Sequence, residues 1–159
     1  MTRLLDVLRP WQWTVLVLLT LAALGLRSYE LPRIFLWLDD TEFFNTGIFG
    51  SPPQPLIEYA LDRKNATTNT LGWPAAVWMS AALFGRTPGG ARVASVVAGT
   101  LAVPAIFFLM LFLLRRGGVT NAFAPSVAAA VLATIVVTHM ELSQRLYAYG
   151  ATPLFSALI

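Results

Sequence analysis

Val93-Ala94-Ser95-Val96-Val97-Ala98-Gly99-Thr100-Leu101-Ala102-Val103-Pro104-Ala105-Ile106-Phe107-Phe108-Leu109-Met110-Leu111-Phe112-Leu113-Leu114 is a run of 22 residues without an ionisable group, and it stops at Arg115-Arg116-Gly117-Gly118. A helix that crosses a bilayer needs about 20 consecutive apolar residues. The run therefore reads as a membrane span, with the arginine pair as its flank. The whole chain agrees with that reading. Of its 159 residues 57% are hydrophobic and 12% charged, against about 25% charged in an average soluble domain. The mean hydropathy is +0.66.

Working outward, Trp11 to Leu26 forms an earlier apolar run, with Trp11 and Trp13 at one end and Tyr29 at the other as interfacial anchors. Arg3 and Arg9 precede it in the manner of a signal peptide. It ends in Arg27-Ser28-Tyr29-Glu30 rather than in small residues, so it reads as an uncleaved first span. A third span is expected over about Phe123 to Thr138. A fourth begins near Tyr147 and is still apolar at Ile159. The expected fold class is thus all-α: a polytopic membrane protein with about four transmembrane helices, the last incomplete. Residues 1–159 would form one membrane region, the amino-terminal part of a longer protein.

Between the first two spans lies a stretch from Arg27 to Arg92, holding six of the eight acids and six of the eleven bases. Pro, Ser, Thr and Asn punctuate it, which predicts short helices joined by turns. Pro74 to Phe84 is apolar but too short to span, so a helix lying in the interface or re-entering the membrane is expected there. A loop this long is usually functional. Arg3 and Arg9, like Arg115 and Arg116, fall on short segments and would be cytoplasmic. The long loop and the segment His139 to Gly150 would then share the outer side.

The net charge of +3 comes from scattered residues, with no basic stripe of the kind that nucleic acid requires. No partner of that class is expected. Cysteine is absent, which removes disulfide and thiol chemistry. The loop contains Leu36-Trp37-Leu38-Asp39-Asp40-Thr41-Glu42-Phe43-Phe44. Asp39 followed by Glu42 has the spacing of a capping box, and acids at a helix start complement its dipole. Three carboxylates exceed what a cap needs, so a general base or a metal ligand set is the competing reading. The donor set admits a divalent metal ion without requiring one. Arg145, in Glu141-Leu142-Ser143-Gln144-Arg145-Leu146-Tyr147, reads either as an interfacial anchor or as a phosphate clamp, because a guanidinium fork suits phosphate oxygens. Arg92 carries the same two readings, with the anchor favoured. His139 is the only histidine, and an interfacial role fits it better than a ligand role.

The layout resembles the amino-terminal part of the membrane GT-C glycosyltransferases, in particular the group of protein O-mannosyltransferases and aminoarabinose transferases. Four features carry the resemblance: Leu36-Trp37-Leu38-Asp39-Asp40 after the first span; Pro74 to Phe84-Gly85; Arg92 leading to Gly99-Thr100-Leu101-Ala102-Val103-Pro104; and Ser143-Gln144-Arg145-Leu146-Tyr147. One departure is Gly72-Trp73-Pro74-Ala75, where the group often has His-Pro-Pro-Leu. The resemblance implies a transferase that moves a sugar from a polyprenyl-phosphate carrier to a protein, lipid or glycan acceptor. The setting it implies is a bacterial inner membrane with the active side facing outward. Asp39 would be the catalytic carboxylate with Asp40 as its neighbour. Arg145 and Arg92 would bind the donor phosphate, and Glu42 and Tyr147 would support the site.

The rival expectation is a small integral membrane protein without catalysis, such as an assembly subunit or a transporter fragment. The three full spans as drawn above carry no ionisable group, which counts against a transporter.

Overall fold

A computed structural model describes residues 8–29, 55, 57–58 and 72–136. Every regular element among them is helical: α1 (Pro10–Ser28), α2 (Gly72–Phe84), α3 (Pro88–Arg116) and α4 (Phe123–Ile135). The all-α expectation holds for these residues. Two helices, α1 and α3, are long and apolar enough to cross a membrane. At about 1.5 Å per residue, α3 is about 43 Å long and α1 about 28 Å, whereas α4 reaches only about 20 Å. The third expected span is therefore helical over Phe123–Ile135, and the fourth lies outside the described residues.

The helix boundaries follow from local chemistry. Pro10 occupies the first turn of α1, where its missing N–H costs nothing. Gln12 Oε1 accepts the backbone N–H of Arg9 at 2.8 Å, one half of a capping box. The α3 helix begins at Pro88, five residues before the expected span. Thr87 caps it, with Oγ1 accepting the Gly90 N–H at 3.1 Å, and Pro88 sets the first φ. At the other end Arg115 and Arg116 occupy the last turn, where cations complement the helix dipole. Gly118 follows with a φ of +79°, a conformation that suits glycine.

The α3 helix is the hub, packing against α1, α2 and α4. Its amino-terminal half turns small residues inward (Gly90, Ala91, Ser95, Ala98, Ala102), and its carboxy-terminal half turns in Phe107 and Leu111. Small residues let helices approach closely where burial from water is not the driving force. Ring contacts fix the directions of the helices. Trp13 meets Phe108 at 5.8 Å and Trp11 meets Phe123 at 5.0 Å between centroids. So α1 runs antiparallel to α3 and parallel to α4. Much of the apolar surface of α1 is uncovered, including Leu18 at 60% and Leu21 at 57% exposure. Large uncovered apolar patches are unusual on a soluble monomer.

The turn between α2 and α3 is tightly built. Ser80 Oγ donates to the Gly90 carbonyl at 2.7 Å and accepts the Ala94 N–H at 3.1 Å. Gly85, at a φ of +102°, turns the chain, and the Thr87 N–H returns to its carbonyl at 2.8 Å. Arg86 lies over the Trp78 ring, 5.4 Å from its centroid.

Two sequence expectations change here. The α1 helix runs on through Arg27, and α3 starts early enough to include Arg92. Both helices thus carry a basic residue near one end, where the spans drawn from hydropathy carried none. The reason is local: hydropathy ends a span at the first charge, whereas a helix ends where its hydrogen bonding does.

Within α3, Pro104 lacks the N–H that would bond the Thr100 carbonyl. The buried Thr100 Oγ1 has no hydrogen-bond partner among the described residues. A buried hydroxyl without a partner costs about 1–3 kcal/mol. Thr100→Val removes it at nearly constant shape. We expect the melting temperature in detergent to rise by a few degrees, about 1 kcal/mol; a fall would mean that the hydroxyl is satisfied.

Candidate functional site

Five of the six residues singled out for chemistry, Asp39, Asp40, Glu42, Arg145 and Tyr147, lie outside the described residues. So do His139 and Glu141. The sixth, Arg92, is described. It lies one turn inside α3 and is 1% exposed. An arginine that anchors a span end extends its charged head to water. Arg92 does not, so burial removes the anchor reading that its sequence position favoured.

A second buried arginine went unnoticed in the sequence. Arg27 is 0% exposed. Its Nη1 donates to the Ala23 carbonyl at 3.2 Å within α1, and its Nη2 donates to the Ala133 carbonyl of α4 at 2.8 Å. Read as a run-ending charge, it looked like a flank. The available signal was its spacing from Leu16 and Ala23, which places all three on the buried stripe of α1.

The two arginines occupy the same end of the bundle. From the Trp13–Phe108 contact, α1 climbs about 21 Å to Arg27 and α3 climbs about 24 Å to Arg92. The α2–α3 turn and the last turn of α4 lie toward that end too. Arg115 and Arg116 lie at the opposite end, together with Arg9 at the start of α1. Of the six described arginines, Arg27 and Arg92 are buried at one end, where exposed Arg86 also lies in the α2–α3 turn, and exposed Arg9, Arg115 and Arg116 lie at the other.

A buried guanidinium presents five donors and stays charged. In a low-dielectric setting it calls for acceptors, and for an anion above all. Arg27 and Arg92 thus place two guanidinium groups inside one end of the bundle. Among the described residues no group of His, Cys, Asp and Glu converges in a way that would hold a metal ion. Lower on the bundle, an open groove of about 230 Å³ runs between α1 and α3, lined by Leu16, Val17, Thr20, Pro104 and Phe108 among others. Its one hydroxyl, on Thr20, donates to the Leu16 carbonyl at 2.8 Å. The groove can offer hydrocarbon contact and little else.

Comparison of the chain with models of protein families, with curated proteins and with solved structures finds no match in any of the three.

Proposed function

We propose that this chain is an integral membrane glycosyltransferase that moves a sugar from a polyprenyl-phosphate carrier to an acceptor at the outer face. The reading combines the resemblance of Leu36 to Asp40 and Ser143 to Tyr147 to the GT-C group with one structural observation. The helices α1 and α4 run parallel and end side by side, joined by the Arg27–Ala133 hydrogen bond, 2.8 Å long. The acidic segment follows α1, and the Arg145 segment follows α4. Both are therefore launched from one end of the bundle, the end that also holds the buried Arg92.

The chemistry needs such a neighbourhood. An acceptor hydroxyl that attacks an anomeric carbon gains from a carboxylate that takes its proton, the role assigned to Asp39 with Asp40 beside it. The departing lipid phosphate gathers negative charge, which a fixed cation stabilises. Arg145 is assigned that contact, and Arg92 is buried in the end of the bundle from which its segment departs. The exposed apolar flank of α1 and the hydrocarbon groove suit a lipid-embedded protein. Arg9, Arg115 and Arg116 at the far end suit a cytoplasmic face.

Arg145→Ala tests the phosphate contact. In membranes containing the full-length protein, the apparent KM for the polyprenyl-phosphate sugar should rise about ten-fold or more, as expected for losing a charge-assisted contact. The acceptor KM should change little. An unchanged donor KM would remove Arg145 from the site.

One observation favours the rival reading. Arg27 and Arg92 are buried ionisable groups in helices long enough to span, as in many transporters. Sugar transfer that requires Asp39 separates the two.

A further inference from the structure

We propose that α2 re-enters the membrane alongside α3, and that its outer face is a contact surface for the hydrocarbon chains of lipids. The proposal goes beyond the transferase reading and does not depend on it. It requires only that α3 spans the bilayer.

The direction of α2 carries the first part. The turn over Gly85, Arg86 and Thr87 folds α2 back onto α3. Ser80 Oγ sits between the Gly90 carbonyl and the Ala94 N–H of α3, so position 80 is level with positions 90–94. Arg86 is the centre of the turn, and each step back along α2 matches one step forward along α3. The buried residues keep this register. Ala81 comes level with Ala91, and Val77 comes level with Ser95, all four at most 1% exposed. Gly72, where α2 begins, then comes level with Thr100. That is about 10 Å past Val93, the first residue of the apolar run. A helix lying flat in the interface would diverge from α3 beyond the turn, and Val77 would lose its cover.

Polarity carries the second part. A helix that lies in the interface turns a charged or polar face to water and an apolar face to lipid. The α2 helix has no charged residue, and its one hydroxyl, on Ser80, is buried against α3. Its outer face holds Met79, Leu83 and Phe84, all exposed. The helix is thus apolar outside and polar only where it meets α3. In lipid, a hydroxyl between helices ties them together, and an apolar outer face needs no further cover. In water the same face would be an open apolar patch. Trp78 and Arg86 meet beside the turn, and these residue types mark membrane–water boundaries. The occupant of the outer face is therefore lipid, and α2 meets the boundary at its carboxy-terminal end.

The absence of native cysteine permits a direct test. Ala76→Cys, Met79→Cys and Leu83→Cys place single nitroxide labels along one side of α2 in the full-length protein, in phosphatidylcholine vesicles. Val97→Cys, exposed on α3 and nearly level with Ala76, is the depth reference. Collisions with oxygen, which partitions into lipid, and with a water-soluble nickel chelate report depth. Depth should increase from Leu83 through Met79 to Ala76, by up to about 10 Å over the series, and the Ala76 label should match the Val97 label. Ala75→Cys replaces Ala76→Cys if that variant does not accumulate.

Equal depth at all three positions overturns re-entry in favour of a flat interfacial helix. Free access of the chelate to all three places α2 in water and overturns it as well. Poor access of both reagents to all three shows cover by protein, from a second copy or another part of the chain, and overturns the lipid contact. A Val97 label open to the chelate removes α3 from the membrane, and the proposal falls with it. None of these measurements reads sugar transfer, so a failure here and a failure of the transferase reading are told apart.

Discussion

Asp39→Asn is expected to abolish measurable sugar transfer, with a loss of about 10²–10⁴-fold, while protein abundance and helix content stay unchanged. The magnitude is that of removing a general base. The substitution is nearly isosteric and keeps a hydrogen-bonding group. It removes the ability to take a proton from an acceptor hydroxyl. If Asp39 served only as a helix cap, asparagine would replace it almost without cost, because the two residues cap about equally well. The substitution thus separates the two sequence readings of the acidic cluster. Asp40→Asn should have a smaller effect, and Glu42→Gln the smallest, since Glu42 fits the third position of a capping box. Full transfer by a folded Asp39→Asn enzyme would end the transferase assignment as proposed. The assay needs purified full-length protein, a labelled polyprenyl-phosphate sugar and a folding control by circular dichroism.

The second large effect concerns the α2–α3 turn. Gly90→Ala should destabilise the protein by about 2–3 kcal/mol, the upper range for overpacking. A Cβ at Gly90 would collide with the Gly85 carbonyl oxygen and come to 3.0 Å from the Phe84 oxygen. Both are backbone atoms, so no flexible side chain can yield. The same Gly90 carbonyl accepts Ser80 Oγ, and relief of the clash would pull on that bond. Gly25→Ala provides the contrast. Gly25 lies inside α1 with nothing within 4 Å of a new Cβ. Alanine there should stabilise the helix by about 0.5–1 kcal/mol, because glycine carries an entropic penalty in helices. Thermal unfolding in detergent reads both variants. Equal effects of the two would mean that the close approach at Gly90 is absent.

The two glycines show why part of the fold was legible and part was not. Both are helical glycines, and the sequence around neither shows what an added Cβ would meet. Gly90 is constrained because the turn at Gly85 folds back onto it; Gly25 faces open space. The early start of α3 was legible in principle. Thr87-Pro88 is a cap followed by a first-turn proline, a signal that a hydropathy reading passes over. The short helix over Pro74 to Phe84 was expected, and α2 contains it. The pairing of that helix with α3 through Ser80 was not expected, since a lone serine in an apolar run has no local signature.

Arg92 and Arg27 differ in the same way. Sequence position placed both at the edges of apolar runs, where arginines usually reach for water. Their burial depends on which helices stand beside them. The partner of Arg27, at Ala133, is a backbone carbonyl, which no side-chain pattern could have pointed to. Of the candidate site, the sequence supplied the residue types and their order along the chain. Only Arg92 among them falls on described residues.

The amino-acid sequence by itself determined the helical class, the two long apolar helices and the concentration of charge between them. These depend on composition and short-range periodicity, which every segment carries within itself. The tertiary structure alone decided that α1 and α4 end together and that Arg27 closes the end of α4. It also decided that buried Arg27 and Arg92 lie at the end opposite Arg115 and Arg116. The physical reason is that a buried charge must find its acceptors wherever packing brings them, and here packing joins positions 106 residues apart.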